Sequence, residues 1–137
     1  MNAETTNMIR SKIDSVIKND ACLDMIWSVS PMEPKDEMFC TGTIRDGAEI
    51  LIDTCYPNYS YEEEGSIDII AYMKRGEGDF NLRSKIDKIK QPLTQVTVGN
   101  VELLNFLQDV PLEAEQAQYA IFMQLQFKAY TSRPIEQ

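Results

Sequence analysis

The chain contains no histidine. That absence removes the commonest general base and the commonest metal ligand together. A serine or cysteine nucleophile would then need another activator, such as a lysine or a terminal amine. No GxSxG elbow, P-loop, GxGxxG or EF-hand spacing occurs. Gly76-Glu77-Gly78 lacks the third glycine of a dinucleotide fingerprint and reads as a plain loop between a strand and a helix. Cysteine is scarce: Cys22, Cys40 and Cys55 are odd in number and form no CxxC pair. This speaks against a disulfide framework or a zinc knuckle. Each cysteine reads as a small core hydrophobe, and a reducing compartment is the expected home.

Basic runs are missing too. Acids outnumber bases 22 to 13, for a formal net charge of −9. Binding DNA by its backbone needs clustered Lys and Arg to neutralise phosphates and release counterions, so direct, tight DNA binding is not expected. An acidic surface can still stand beside DNA that slides past, and it keeps an abundant subunit soluble. No apolar run approaches the roughly 20 residues that span a bilayer. The start, MNAETTNMIRSKID, has no basic stretch followed by an apolar one, so no signal peptide is expected. The sequence predicts no membrane association and a place inside the producing cell, or inside a particle that leaves it.

What is present is ordinary for a globular protein: 137 residues, 43% hydrophobic and 26% charged. This suits one domain over residues 1–137, without repeats or low-complexity segments. Ile9, Ile13, Val16 and Ile17 mark one face of a first helix, capped by Thr5, Thr6 or Asn7 and ending near Asn19-Asp20. Residues 22–27 suit either a short strand or a helix extension, and Met32 to Asp36 a Pro-flanked loop. A short strand over Met38–Arg45 ends at Asp46-Gly47, a strong turn dipeptide. Ala48–Tyr56 and Ser66–Lys74 read as strands, the second partly buried on both faces, with Pro57–Gly65 a long polar linker between them.

Leu82, Ile86 and Ile89 define a second helix over Phe80–Lys90, capped by Asp79 and stopped by Pro92. Gln95–Val98 and Val101–Leu107 flank a Gly99-Asn100 turn. Pro111–Gln116 is an acidic connection. Tyr119–Tyr130 alternates as the longest strand and, if it lies at an edge, offers its backbone to a neighbour. The tail Thr131–Gln137 is expected to be loose or used in a contact. The order predicts an α+β fold: a single antiparallel or mixed β-sheet with two helices packed on one face.

Paired carboxylates are the catalytic chemistry this composition still permits. Glu62, Glu63 and Glu64 are adjacent, yet adjacency in a loop does not set the separation that hydrolysis needs, and no spacing promises the six or more oxygens of a Ca²⁺ site. A solvated tip is the simpler reading. Tyr56, Tyr59 and Tyr61 are either interface residues, for which tyrosine is suited by area and polar tip, or rings packed on the sheet.

The element order resembles the tail terminator proteins of long-tailed bacteriophages and the related tail-completion and head-to-tail joining proteins. The resemblance is carried by the first helix (NMIRSKIDSVIK), the two strands around an acidic connection (ILIDTCYPNYSYEEEGSIDIIAYMK), the acid-capped helix (DFNLRSKIDKI) and the terminal strand after an acidic linker (VPLEAEQAQYAIFMQLQFKAYT). It covers roughly residues 7–131. It implies a virion structural protein of the tail or neck, assembled in the host cytoplasm. Such a protein forms a closed ring, usually a hexamer, on the last ring of the tail tube and meets a neck or head-completion protein. DNA passes through its lumen without specific binding. The resemblance also implies no enzyme activity, no cofactor and no metal. Subunit-interface candidates are Tyr56, Tyr59, Tyr61, Glu62, Glu63 and Glu64. The other readings are another joining protein of the same virion, a stand-alone acidic binding or inhibitor module that mimics DNA, and an enzyme built on converging carboxylates.

Overall fold

The helical and alternating segments of the sequence sort into two layers in the computed structural model, which describes residues 2–27, 38–54, 58–74, 79–107, 109–113 and 118–134. The chain runs α1 (Ala3–Ser15), a π-helical turn (Val16–Asp20), β1 (Asp24–Trp27), β2 (Phe39–Arg45), β3 (Glu49–Asp53) and β4 (Asn58–Lys74). It continues through α2 (Asp79–Leu93), β5 (Val96–Val98), β6 (Val101–Phe106), β7 (Val110–Glu113) and β8 (Gln118–Pro134).

Helix α1 starts earlier than its apolar spacing suggested. Asn2 is the cap: its Oδ1 accepts from the Thr5 N–H at 2.8 Å, and Thr5 itself is a buried helical residue. The apolar stripe Ile9, Ile13, Val16 and Ile17 is buried as predicted. The last turn widens, with the Ala21 N–H donating to the Val16 carbonyl at 3.3 Å and the Leu23 N–H to the Ile17 carbonyl at 3.0 Å. Cys22 takes the left-handed conformation (φ 56°) that usually falls to glycine at a helix end. This corrects the core reading of that residue: Cys22 is exposed, Cys40 is buried, and Cys55 lies outside the described residues.

Asp79 and Pro92 also behave differently from expectation. Asp79 is the first residue of α2 rather than its cap, and Pro92 sits inside the last turn. Leu93 just beyond it is fully buried, and Thr94 Oγ1 donates to the Lys90 carbonyl at 2.7 Å. Core burial of Leu93, worth roughly 1.5–3 kcal/mol, carries the helix past the proline.

The strand order is β1-β2-β4-β8-β6-β5, with β3 on β4 and β7 on β8. β1 and β2 are parallel, and the other pairs are antiparallel. β4 and β8 pair along their whole length, from Asn58↔Pro134 to Lys74↔Gln118. β2 and β3 lie end to end on one side of β4, so Asp46-Gly47 does not reverse the chain. It lets the chain pass close over β4: a Cβ on Gly47 would fall 1.3 Å from the Glu64 carbonyl oxygen.

Several expectations change with this topology. Residues 58–65 of the supposed linker are strand, held by β3 on one side and β8 on the other. The body of β8 is interior rather than an edge, with β4 on one side and β6 and β7 on the other, while its last residues pair with β4 alone. Residues 110–113 form β7, and Thr131–Pro134 of the supposed loose tail pair with Asn58–Tyr61. Met32–Asp36, Gly76-Glu77-Gly78 and residues 114–117 lie outside the described residues.

Alternation decides which face is core. Ile67, Ile69 and Ala71 of β4 and Ile121, Met123, Leu125 and Phe127 of β8 are buried, together with Leu82, Ile86, Ile89 and Leu93 of α2 and the α1 stripe. The fold is α+β, with both helices on one face of a large mixed sheet. The Gly99-Asn100 turn locks the far side. Gly99 adopts φ 59°, and a Cβ there would fall 2.8 Å from Met8 Sδ on α1. Asn100 Nδ2 donates to the Tyr130 carbonyl at 2.6 Å and to Thr5 Oγ1 at 3.3 Å, while the Tyr130 N–H returns a bond to the Asn100 carbonyl at 2.9 Å.

Candidate functional site

Five of five β3 residues are exposed, on both faces of the strand. Ile50, Leu51 and Ile52 stand 53%, 47% and 51% exposed. Free apolar surface of this kind, in a run of three, is what a folded domain ordinarily covers. β3, the first half of β4 and the last residues of β8 together make a three-stranded arm, and the helices pack chiefly against β4, β5 and β6.

The arm gathers most of the residues singled out from the sequence. Tyr59, Tyr61 and Glu63 fall on the face that, further along β4, carries Ile67 and Ile69. The two tyrosine rings meet edge to face, 6.5 Å apart at 66°, and both are half-buried. Leu51 lies directly across from Tyr61. Glu63 is 5% exposed, across from Glu49 and Ala129. Glu62 and Glu64 point to the opposite face, so the three consecutive glutamates do not converge. Tyr56 lies outside the described residues.

On that opposite face, sequence reasoning missed the cation that organises the acids. Lys128 lies across from Glu64, and its Nζ is 3.6 Å from Glu62 Oε1 and 3.5 Å from Glu64 Oε1. The Glu62 charge, then the Glu64 hydrogen bond and charge, raise the Lys128 pKa, so the ammonium persists. Next along the strand, the Tyr130 hydroxyl donates to Glu102 Oε2 at 3.3 Å. Partial burial and then the Glu102 charge raise its pKa, which keeps it a phenol. The signal for this cluster was a period-two match between Glu62/Glu64 and Lys128/Tyr130, legible only once the two strands are known to pair.

Further along the same face, Asp68 is 7% exposed. It pairs with Arg45 Nε and accepts from Gln124 Nε2 at 2.9 Å. Phe39 stacks on Tyr72 at 4.8 Å. These groups satisfy one another. A shallow depression of about 170 Å³, lined by Gln95, Val96, Thr97, Glu102, Leu103 and Leu104, contains a single carboxylate and no second titratable group. Among the described residues, no three His, Cys, Asp or Glu side chains come together as a metal ion requires. No helix among them is long and apolar enough to cross a membrane. The arm itself presents an apolar edge beside acidic and aromatic faces.

No protein-family model and no curated protein matches the chain. Among solved structures it is similar to one that bears no descriptive name, with a TM-score of 0.61 and 12% identity, covering 96% of this chain and 98% of that one. At that identity the likeness shows the fold alone. It is also similar, with a TM-score of 0.48 and 11% identity over 92% of this chain and 91% of the other, to a chain of the virion of a native gene transfer agent particle. That score is too low to carry an argument.

Proposed function

We propose that this chain is a structural virion protein, a tail terminator whose copies close into a ring, most simply a hexamer, on the end of a phage-like tail tube. The ring would cap the tube, meet a neck or head-completion protein on its other side, and let DNA pass through its lumen. Such a role needs no catalysis and no cofactor. The observation that carries the reading is the open arm: its half-buried tyrosine pair and a β3 whose five residues are all exposed offer contact surface that a lone subunit leaves unused. The order of helices and strands supports it through the resemblance noted above. The sheet face that carries Glu62, Glu64, Asp68 and Glu102 against Lys128 and Arg45 keeps an excess of acid, which suits a wall along which DNA slides, because carboxylates repel phosphate.

Native mass spectrometry and light scattering test this directly, on the protein alone and with tail tube protein. A six-subunit species, or tubes capped at one end, is the expected outcome. A chain that stays monomeric and never binds tube ends is not a terminator; it would then suit the acidic inhibitor module, which needs no ring.

A further inference from the structure

Among the described residues, four strands have a neighbour on one side alone, β1, β3, β5 and β7, as do the end of β2 beyond β1 and the end of β8 beyond β6. An unpaired strand edge is a template for another chain, and proteins ordinarily blunt it by shortness, proline or charge. β5 has three residues and β1 has four. β7 has four, including Pro111, which offers no N–H. β3 has five; its pairing with β4 is irregular between Leu51 and Asp53, and its centre, Ile50-Leu51-Ile52, has no proline and no charge.

Charge identifies the occupant. Glu49 and Asp53 bracket the apolar run, and the adjoining residues Asp46, Glu62, Glu63 and Glu64 outnumber Arg45, Lys128 and Arg133. Pairing β3 antiparallel with β3 of a second copy, centred on Leu51, would set Glu49 against Asp53 at both ends, and like charges directly across a pair destabilise it. β1, β5 and β7 carry no Lys or Arg, and the open ends of β2 and β8 carry one each, Arg45, which is paired with Asp68, and Arg133, which precedes a proline without an N–H, so none of these edges of a second copy brings bases to both acidic ends of β3. We infer that the free edge of β3 binds an extended segment of a different protein, an apolar run with Lys or Arg at its ends, added as a further strand. The inference is independent of the ring: copies can meet through the tyrosine face while this edge serves another component.

The test uses the full-length protein and two fluorescein-labelled peptides of alternating valine and threonine, one ended by lysines and one by glutamates. Fluorescence anisotropy should show the lysine-ended peptide binding at least tenfold tighter, with the advantage falling as salt rises. The double variant Ile50→Lys/Ile52→Lys should lose that binding while keeping the subunit number of the wild type. If circular dichroism shows that variant unfolded, Glu49→Gln/Asp53→Asn decides instead, by losing the preference for lysine ends. Equal binding of the two peptides, no binding of either at millimolar concentration, or unchanged binding by the variants overturns the inference. A folded double variant that no longer self-associates also overturns it, because β3 would then be a seam between copies. A monomeric wild type would defeat the ring reading and leave the anisotropy result to decide this one.

Discussion

β4 is one continuous strand with one partner along its whole length, yet its two halves live in different solvents. From Ser66 onward, Ile67, Ile69 and Ala71 have no exposed surface and share one core with both helices. From Asn58 to Gly65, the same face carries two half-buried tyrosines and Glu63, beside a β3 that is exposed on both sides. Backbone pairing is common to both halves, so pairing alone does not account for what each does. The helix-covered half supplies stability. The open half uses the rigid backbone that this stability provides to hold a surface outward, which is how scaffolds ordinarily position contact residues.

The largest test of the difference is Ile69→Ala. Removing a fully buried branched side chain leaves a cavity, and the expected loss is roughly 2–5 kcal/mol by urea unfolding. The contrasting change is Tyr59→Ala/Tyr61→Ala. Their edge-to-face contact and half-buried rings are worth roughly 1 kcal/mol each, so the fold should survive while the oligomer in native mass spectrometry is lost. If the tyrosine pair costs as much stability as Ile69→Ala and assembly persists, the open half is core after all and the comparison fails.

How far the sequence revealed this division follows from the same physics. The core half was legible, because Ile67, Ile69 and Ala71 recur on one side of their strand and the helix stripes repeat at 3.6 residues. The open half was not. Tyr-Ser-Tyr-Glu-Glu-Glu-Gly has few strand formers among its acids, and glutamate is depleted in strands. Tertiary pairing overrides that preference: β8 supplies Lys128 opposite Glu64, and β3 closes the other side. Placing β8 in the interior was likewise beyond a local reading, since alternation reveals a strand's faces and not its neighbours. Tyr59, Tyr61 and the three glutamates are neighbours in the sequence, but their split between two faces required the strand. Ile50–Ile52 passed as an ordinary strand centre, and the acids at its two ends were the overlooked sign that it is open.

Titration separates the halves by a smaller effect. Cys40 lies across from Ala71 in the covered half, and burial pushes its thiol from an ordinary 9.0 up to about 12, against a small opposing influence of Lys85. The unfolded chain therefore releases this proton at lower pH than the folded one. The stabilisation is complete below pH 9 and is lost as pH rises from there toward 12. Cys40→Ala should flatten that part of the stability–pH curve relative to wild type. At pH 8, iodoacetamide should modify the exposed Cys22 readily and Cys40 only as fast as the protein opens. Equal reactivity of the two thiols would show that the covered half is not closed.

The smallest expected effect belongs to Lys128 in the open half. Its side chain is 33% exposed, and it is the cation between Glu62 and Glu64, which stand two residues apart on one face of β4. Ion pairs this near water contribute little, because solvent and salt screen them. The sign is still definite. The folded pKa of Lys128 is raised, so its contribution is present below the ordinary lysine value and disappears as pH climbs through the raised one, well above neutrality. Lys128→Gln should therefore lower the melting temperature less than any other change here, and by still less in about 1 M salt, where the screening length falls to about 3 Å. A loss as large in high salt as in low would mean that the aliphatic stem of Lys128 packs the strand pair and that its charge is incidental. The open half would then be held by the same burial as the covered half, and the acids on its surface would be free to answer to a partner alone.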